Sequence, residues 1–219
     1  MSSRPAAPVF FDVDGVLLDS LPQHLAMCAD AASEFGLNLK IPSVEQFRAM
    51  VAAGVKVSPM LDFFVAVGFP MADARRAVEI YDREFAQRYP SRRFDGIKET
   101  LDRLHLAGHP LGLVTANIAA NVEPALEDVL GLFDPRCLFY FDRFRPARAK
   151  SWCLNEAARI LGARSSDCVF VGDQPADAAA AEAANWRFLG VSYGWGFVRG
   201  DPSRRLVHSA TEIAIAILG

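Results

Sequence analysis

Three short runs restrict what this chain can fold into: Val9-Phe10-Phe11-Asp12-Val13, Leu111-Gly112-Leu113-Val114-Thr115 and Cys168-Val169-Phe170-Val171-Gly172. Their apolar residues are consecutive instead of alternating, so each run has to be buried on both sides, as in a sheet with helices packed on its two faces. Weaker runs of the same kind occur at 137–141 and 188–191. Helical patterns lie between them at 97–107, 119–130, 152–161 and 176–184, with stops at Gly108, Gly131, Gly162 and Asn185. Strand and helix alternate from residue 97 onward, which predicts right-handed crossovers and a doubly wound parallel sheet of the α/β class.

One segment breaks the alternation. Residues 21–89 contain no convincing strand, only helical patterns at 21–35, 44–53, 59–67 and 72–89. Leu21, Leu25, Cys28, Ala32 and Phe35 share one face of the first, and Ala74, Val78, Tyr81 and Phe85 one face of the last. The expectation is a small all-α domain, 21–90, inserted after the first strand of a core built from 1–20 and 91–219. At 52% hydrophobic and 22% charged residues, the 219-residue chain has apolar material for both units.

A net charge of −3 lacks the basic field that nucleic-acid binding needs, so no nucleic-acid partner is expected. The four cysteines are far apart with no C-x-x-C pair, which fits buried apolar residues in a reducing compartment better than a disulfide framework or zinc site. The apolar stretch after Arg4 stops at Asp12, too short for a signal-peptide core, and no later run approaches a membrane span. A cytoplasmic location without membrane association is expected.

In an open parallel sheet, ligands bind where the strands end and loops lead into helices. The polar residues at those ends are Asp12, Asp14, Thr115, Asn117, Asp173 and Asp177. Taken singly, such residues read as helix caps or Asx turns. As a cluster they interrupt strands that do not tolerate unpaired charge. In extended chain Asp12 and Asp14 point to one side, and Gly15 permits the turn that follows. Carboxylates so close resist joint ionisation unless a cation joins them or one keeps its proton. With Asp173 and Asp177 they make an oxygen-only donor set, suited to a hard cation such as Mg²⁺. Lys150, or Arg148 two residues before it, stands ahead of the helix leading to Asp173 and is the candidate for holding a phosphate oxygen, with Lys150 preferred.

The run Asp12-Val13-Asp14-Gly15-Val16-Leu17-Leu18-Asp19-Ser20 resembles the first motif of the haloacid dehalogenase superfamily, in its phosphatase branch. Val114-Thr115-Ala116-Asn117 resembles the second motif, Lys150 the third, and Val171-Gly172-Asp173-Gln174-Pro175-Ala176-Asp177 the fourth, in order across essentially the whole chain. The pattern is most similar to phosphoglycolate phosphatases and β-phosphoglucomutases, whose helical cap is inserted between the first two motifs. The third motif departs from the branch's usual Lys-Pro: here the stretch reads Phe144-Arg145-Pro146-Ala147-Arg148-Ala149-Lys150.

The resemblance implies a Rossmann-like core with a cap, and phosphate-ester hydrolysis through an aspartyl-phosphate. It implies Asp12 as nucleophile and Asp14 as general acid and base. Thr115, Asn117 and Lys150 would bind phosphate, Asp12, Asp14 (through its backbone carbonyl) and Asp173 would hold Mg²⁺, and Asp177 would act through water or by orienting Lys150. An acid at position 14 favours esters over halides, because a halide leaves without a proton. A sugar-phosphate mutase uses the same pair and stays open, whereas a receiver domain needs roughly half this length. Cap residues His24 and Arg48, with Lys56 behind them, are the candidate contacts to a small phosphorylated metabolite. Trp152, Trp186 and Trp195 are expected to pack on apolar surface, the Gly194-Trp195-Gly196 run receives no chemistry, and a monomer or homodimer is expected.

Overall fold

A computed structural model describes residues 6–144, 148–200 and 205–219. The chain runs β1 (Val9–Phe11), β2 (Leu18–Asp19), α1 (Leu21–Glu34), α2 (Val44–Ala52), α3 (Met60–Val67), α4 (Met71–Arg88), β3 (Arg92–Arg93), α5 (Ile97–Leu106) and β4 (Leu111–Val114). It continues through α6 (Ala119–Leu126), β5 (Leu138–Phe139), α7 (Lys150–Leu161), β6 (Val169–Gly172), α8 (Pro175–Ala183), β7 (Arg187–Val191), β8 (Leu206–Val207) and α9 (Ala210–Leu218). The main sheet is ordered β5-β4-β1-β6-β7-β8 and its pairings are parallel.

The consecutive apolar residues of β1 face opposite layers. Val9 and Phe11 pack with α5, α6 and α9, through residues such as Leu101, Val122 and Ile213. Phe10 turns the other way, into a layer with Leu154 and Ala157 of α7 and Ala181 of α8. Its ring occupies the space that a side chain at Gly112 would need. This is the doubly wound α/β fold, and the chain leaves β1 in both directions across the sheet, which puts a crevice at the C-terminal end of β1.

Helices α1–α4 form their own apolar cluster. Leu21, Leu25, Cys28 and Ala32 of α1 are buried in it, as are Ala74, Tyr81 and Phe85 of α4, while Phe35 and Val78 are partly buried at its edge. One residue comes from elsewhere: Trp195, from the loop after β7, joins the cluster with its ring 5.9 Å from those of Phe47 and Phe63. The chain enters and leaves this unit through one short ladder, β2 against β3, with Leu18 opposite Arg93 and Asp19 opposite Arg92.

Several elements differ from the sequence pattern. The helix expected over 119–130 ends at Leu126, and Leu130–Leu132 forms a 3-10 turn containing Gly131. Asp134 N–H donates to the Leu111 carbonyl, drawing the chain back to the sheet. The β2–β3 ladder escaped detection because two-residue strands carry no period. Strand β8 and helix α9, in the last fourteen residues, were likewise not expected. All four cysteines are buried and unpaired, as expected. Among the described residues, no helix is long and apolar enough to cross a membrane.

Candidate active site

Parallel register brings three strand ends to one edge: Asp12, Thr115 and Asp173 each follow the last residue of β1, β4 and β6. Asp12 and Thr115 line a cavity of about 720 Å³ between this edge and the helical unit, and Asp173 is buried next to it.

Asp12 is buried, and its Oδ1 accepts the Val13 N–H at 2.8 Å. Its Oδ2 lies 2.7 Å from Lys150 Nζ, which is also 2.7 Å from Asp177 Oδ1. One ammonium is thus shared by two carboxylates. Burial raises the Asp12 pKa to about 7 against the pull of Lys150. Burial opposes the charge on Lys150, but Asp12 and Asp177 outweigh it and hold its pKa above the ordinary lysine value. Lys150 reaches the site because α7 begins on it, two residues before the helix start expected from the pattern.

Asp177 has few oxygens to spare. Its Oδ2 accepts the backbone N–H groups of Asp173 and Gln174 at 3.2 and 3.1 Å, closing the first turn of α8. Asp173 is different. Its Oδ2 accepts the Trp195 N–H, while its Oδ1 is buried without a hydrogen-bond partner. Burial, reinforced by Asp177 and Asp12, pushes its pKa well above the carboxylate range.

Oxygens of Asp12, Asp173 and Asp177 lie within 4.8 Å of one another. An orphaned buried carboxylate oxygen beside an all-oxygen set is what a hard divalent cation satisfies, so these residues fit Mg²⁺. Asp14 contributes no carboxylate oxygen to that group. Its side chain is held elsewhere, with Ser20 Oγ donating to Oδ1 at 2.5 Å and Asn117 Nδ2 to Oδ2 at 2.9 Å. Asn117, expected to bind phosphate, therefore anchors Asp14. Thr115 Oγ1 accepts the Asn117 N–H at 3.0 Å, and both Thr115 and Asn117 line the cavity.

The two cap candidates separate. His24 lines the cavity but is only 2% exposed, with Nδ1 2.7 Å from the Ser20 carbonyl and Nε2 3.1 Å from Tyr81 Oη. Burial lowers its pKa, so the ring is neutral at ordinary pH. Arg48 is not among the lining residues. Its guanidinium donates to the Ser192 carbonyl at 2.8 Å, tying α2 to the loop after β7. Lys56 lines the mouth and is paired with Asp62 at 2.6 Å. Arg148 is exposed at the rim over the Trp152 ring.

Residues the sequence left without a role complete the site. Ser20 joins the already expected Asn117 in clamping Asp14, and Asn121 Nδ2 approaches Asn117 Oδ1 at 3.4 Å and the Tyr81 carbonyl at 3.5 Å, joining α6 to α4. The Gly194-Trp195-Gly196 turn packs on Asp173: a side chain at Gly194 would collide with the Gly15 carbonyl and the Asp173 carboxylate. Its position after a strand, at the binding edge, was the available signal. Tyr81 gave none, because a tyrosine on the apolar face of a helix reads as core.

Two expected results test this geometry. Lys150→Ala should cut turnover of a phosphate ester about 10²-fold or more, the scale of removing one charge-stabilising donor, and Arg148→Ala by far less; the reverse order would transfer the role to Arg148. Second, Asp12 and Asp173 have raised pKa values in the folded chain, so their stabilising contribution without metal is complete at low pH and is lost as pH rises through about 7 for Asp12. A cation binds the ionised form and competes with those protons. The rise in melting temperature on adding Mg²⁺ should therefore be small at acid pH and grow toward pH 8. A shift of constant size across that range would contradict the assignment.

A family model described as haloacid dehalogenase-like hydrolase matches residues 9–185. A phosphoglycolate phosphatase of Xanthomonas campestris is 34% identical over 201 residues, covering 88% of this chain and 85% of the relative. One from Vibrio parahaemolyticus is 30% identical over 217 residues, covering 92% and 90%. Among solved structures, a predicted phosphoglycolate phosphatase from Haemophilus somnus superposes with a TM-score of 0.78 at 21% identity over the whole of both chains.

Proposed function

The chain belongs to the haloacid dehalogenase-like hydrolases and is a phosphatase, and on that premise we propose that it hydrolyses a small phosphate monoester through an aspartyl-phosphate formed on Asp12, with Mg²⁺ as cofactor. The observation that carries this reading is the division between two carboxylates two residues apart. Asp12 faces Lys150 and the oxygen cluster, whereas Asp14 is held apart from it by Ser20 and Asn117. Two environments for two acids are what a nucleophile and a proton donor require.

A carboxylate oxygen of Asp12 bonds to phosphorus as the ester P–O bond breaks, and Asp14 gives its proton to the departing alkoxide. Asp14, now ionised, takes a proton from the water that attacks the acyl phosphate. Cleavage frees Asp12 and releases inorganic phosphate. Lys150 and the Thr115 hydroxyl donate to the peripheral phosphoryl oxygens, where charge concentrates during transfer. Asp12, Asp173 and the Asp14 backbone carbonyl would hold Mg²⁺, which when bound would supply positive charge to offset that of the phosphate. Asp177 positions Lys150 and the 173–174 turn and leaves the cation to the others. The substrate is a small metabolite in a cytoplasmic setting, and the relatives' name makes 2-phosphoglycolate the first compound to assay.

The test is phosphate release from a panel of esters with Mg²⁺ and with chelator. Metal-dependent release is expected, and no release from any ester would defeat the reading. Asp14→Asn should lose about 10²-fold or more with alkyl phosphates, whose leaving group needs a proton, and markedly less with p-nitrophenyl phosphate, whose does not. Equal losses on both would remove Asp14 as the acid. A sugar-phosphate mutase would instead isomerise its substrate with little phosphate released.

A further inference from the structure

The cavity does not end at the aspartates. It continues along α8, past Ala176, Ala179, Ala180 and Ala183, which span about 10 Å at 1.5 Å per residue. The cap segment 54–60 roofs it, presenting Val55, Val57, Pro59 and Met60. The cap is docked on the core in this arrangement, through Arg48 to the Ser192 carbonyl and through the Trp195 ring in the cap cluster, so the groove belongs to the docked form. At about 720 Å³ its size is that of a site for a ligand far larger than a two-carbon acid.

The charges on its walls are already committed. Lys150 serves Asp12 and Asp177 at the phosphate end, and His24 is buried and neutral. At the rim, Lys56 is paired with Asp62, while Arg148 lies over the Trp152 ring, outside the α8 wall and the 54–60 roof, in a contact that leaves its N–H groups able to donate. Along the α8 wall and the 54–60 roof, the described lining residues are uncharged apart from Lys56 and Asp177, and Asp177 is bound to Lys150 at the phosphate end. A carboxylate on the substrate would lose its water there against Val55, Met60 and alanine methyl groups, which is costly, whereas an apolar group would be favoured.

We propose that the substrate's organic part is uncharged and apolar, and extends from the phosphate along the α8 groove beneath residues 54–60. This rests on the phosphatase reading above and narrows it: a short phosphorylated carboxylic acid such as 2-phosphoglycolate is then a poor substrate. The inference draws on the continuity of the groove with the nucleophile at one end and on the lack, among the described residues, of an uncommitted cation on the α8 wall and the 54–60 roof.

The experiment compares kcat/KM for n-alkyl phosphates from methyl to hexyl, and for 2-phosphoglycolate against ethyl phosphate, with p-nitrophenyl phosphate as a general phosphatase substrate. Each methylene buried is worth up to about fourfold, so hexyl should exceed methyl phosphate by more than about tenfold, and ethyl phosphate should exceed 2-phosphoglycolate by a similar factor. Ala183→Leu, at an exposed position at the far end of α8, should lower the hexyl-to-methyl ratio. Val55→Lys, at a position 38% exposed, should raise the ratio of 2-phosphoglycolate to ethyl phosphate. A flat chain-length series, a preference for 2-phosphoglycolate in the unaltered protein, or ratios unmoved by both variants would overturn the proposal while p-nitrophenyl phosphate turnover left the phosphatase reading standing. Absence of turnover on every ester would instead defeat that underlying reading, and this proposal with it.

Discussion

Replacing Asp12 with asparagine is expected to lower kcat by about 10⁴-fold or more, the scale seen when a covalent nucleophile is removed, while leaving the melting temperature within a few degrees of the parent. The two halves of this result come from the same burial. An amide oxygen is a poor nucleophile toward phosphorus, so the covalent route closes. The amide also never ionises, so it avoids the desolvation that pushes the Asp12 pKa up to about 7. Against that, Lys150 loses one of its two carboxylates and keeps Asp177. The compensation is partial, and the net change in stability is small. Phosphate release under substrate saturation and a thermal melt of the same sample check both halves. Retention of more than about a hundredth of the activity would exclude Asp12 as nucleophile.

Gly15→Ala is expected to be the most disruptive single-methyl change in the core. Gly15 has φ +83°, in the region that side chains disfavour, and an added Cβ would overlap the Asp173 carboxylate and approach the Trp195 ring at 2.8 Å. The backbone conformation costs roughly 1–2 kcal/mol for a non-glycine residue, and forced overpacking adds roughly 1–3 kcal/mol. A loss of about 10 °C in melting temperature follows for a chain of this length. The overlap falls on the carboxylate whose other oxygen is the orphan of the cation cluster, and displacing Asp173 moves both, so the Mg²⁺-dependent rise in melting temperature should shrink as well. A Gly15→Ala protein that melts like the parent and responds normally to Mg²⁺ would show that the 15–173–194 contact has slack.

The fold was legible wherever burial imposed a period. The runs around Phe10, Leu113 and Phe170 could only be buried strands, and the 3.6-residue patterns of 21–35 and 72–89 located α1 and α4 to within a residue or two. The strand-end aspartates were legible because charge interrupting apolar strands has few explanations, and the fold brings Asp12, Asp173 and Asp177 into one cluster. The remainder depended on tertiary contact. Nothing in the spelling of Ser20, Asn121 or Tyr81 says that α1, α6 and α4 meet around Asp14. Arg48 shows the converse: a cap arginine looks like an anion contact until its guanidinium is found on the Ser192 carbonyl. The Gly194-Trp195-Gly196 run stood out as a motif, but its use of the backbone for Asp173 and the ring for the cap required both partners to be in place.

The placement of Trp195 bears on how such proteins can be recombined. The insert between β2 and β3 is contiguous in sequence and looks portable, yet one of its interior aromatics is encoded more than a hundred positions downstream. A graft of residues 21–90 onto a related scaffold would arrive with a hole the size of an indole, unless the recipient's own 194–196 turn were exchanged in the same step. The insert and the 194–196 turn are therefore one packing unit encoded in two places.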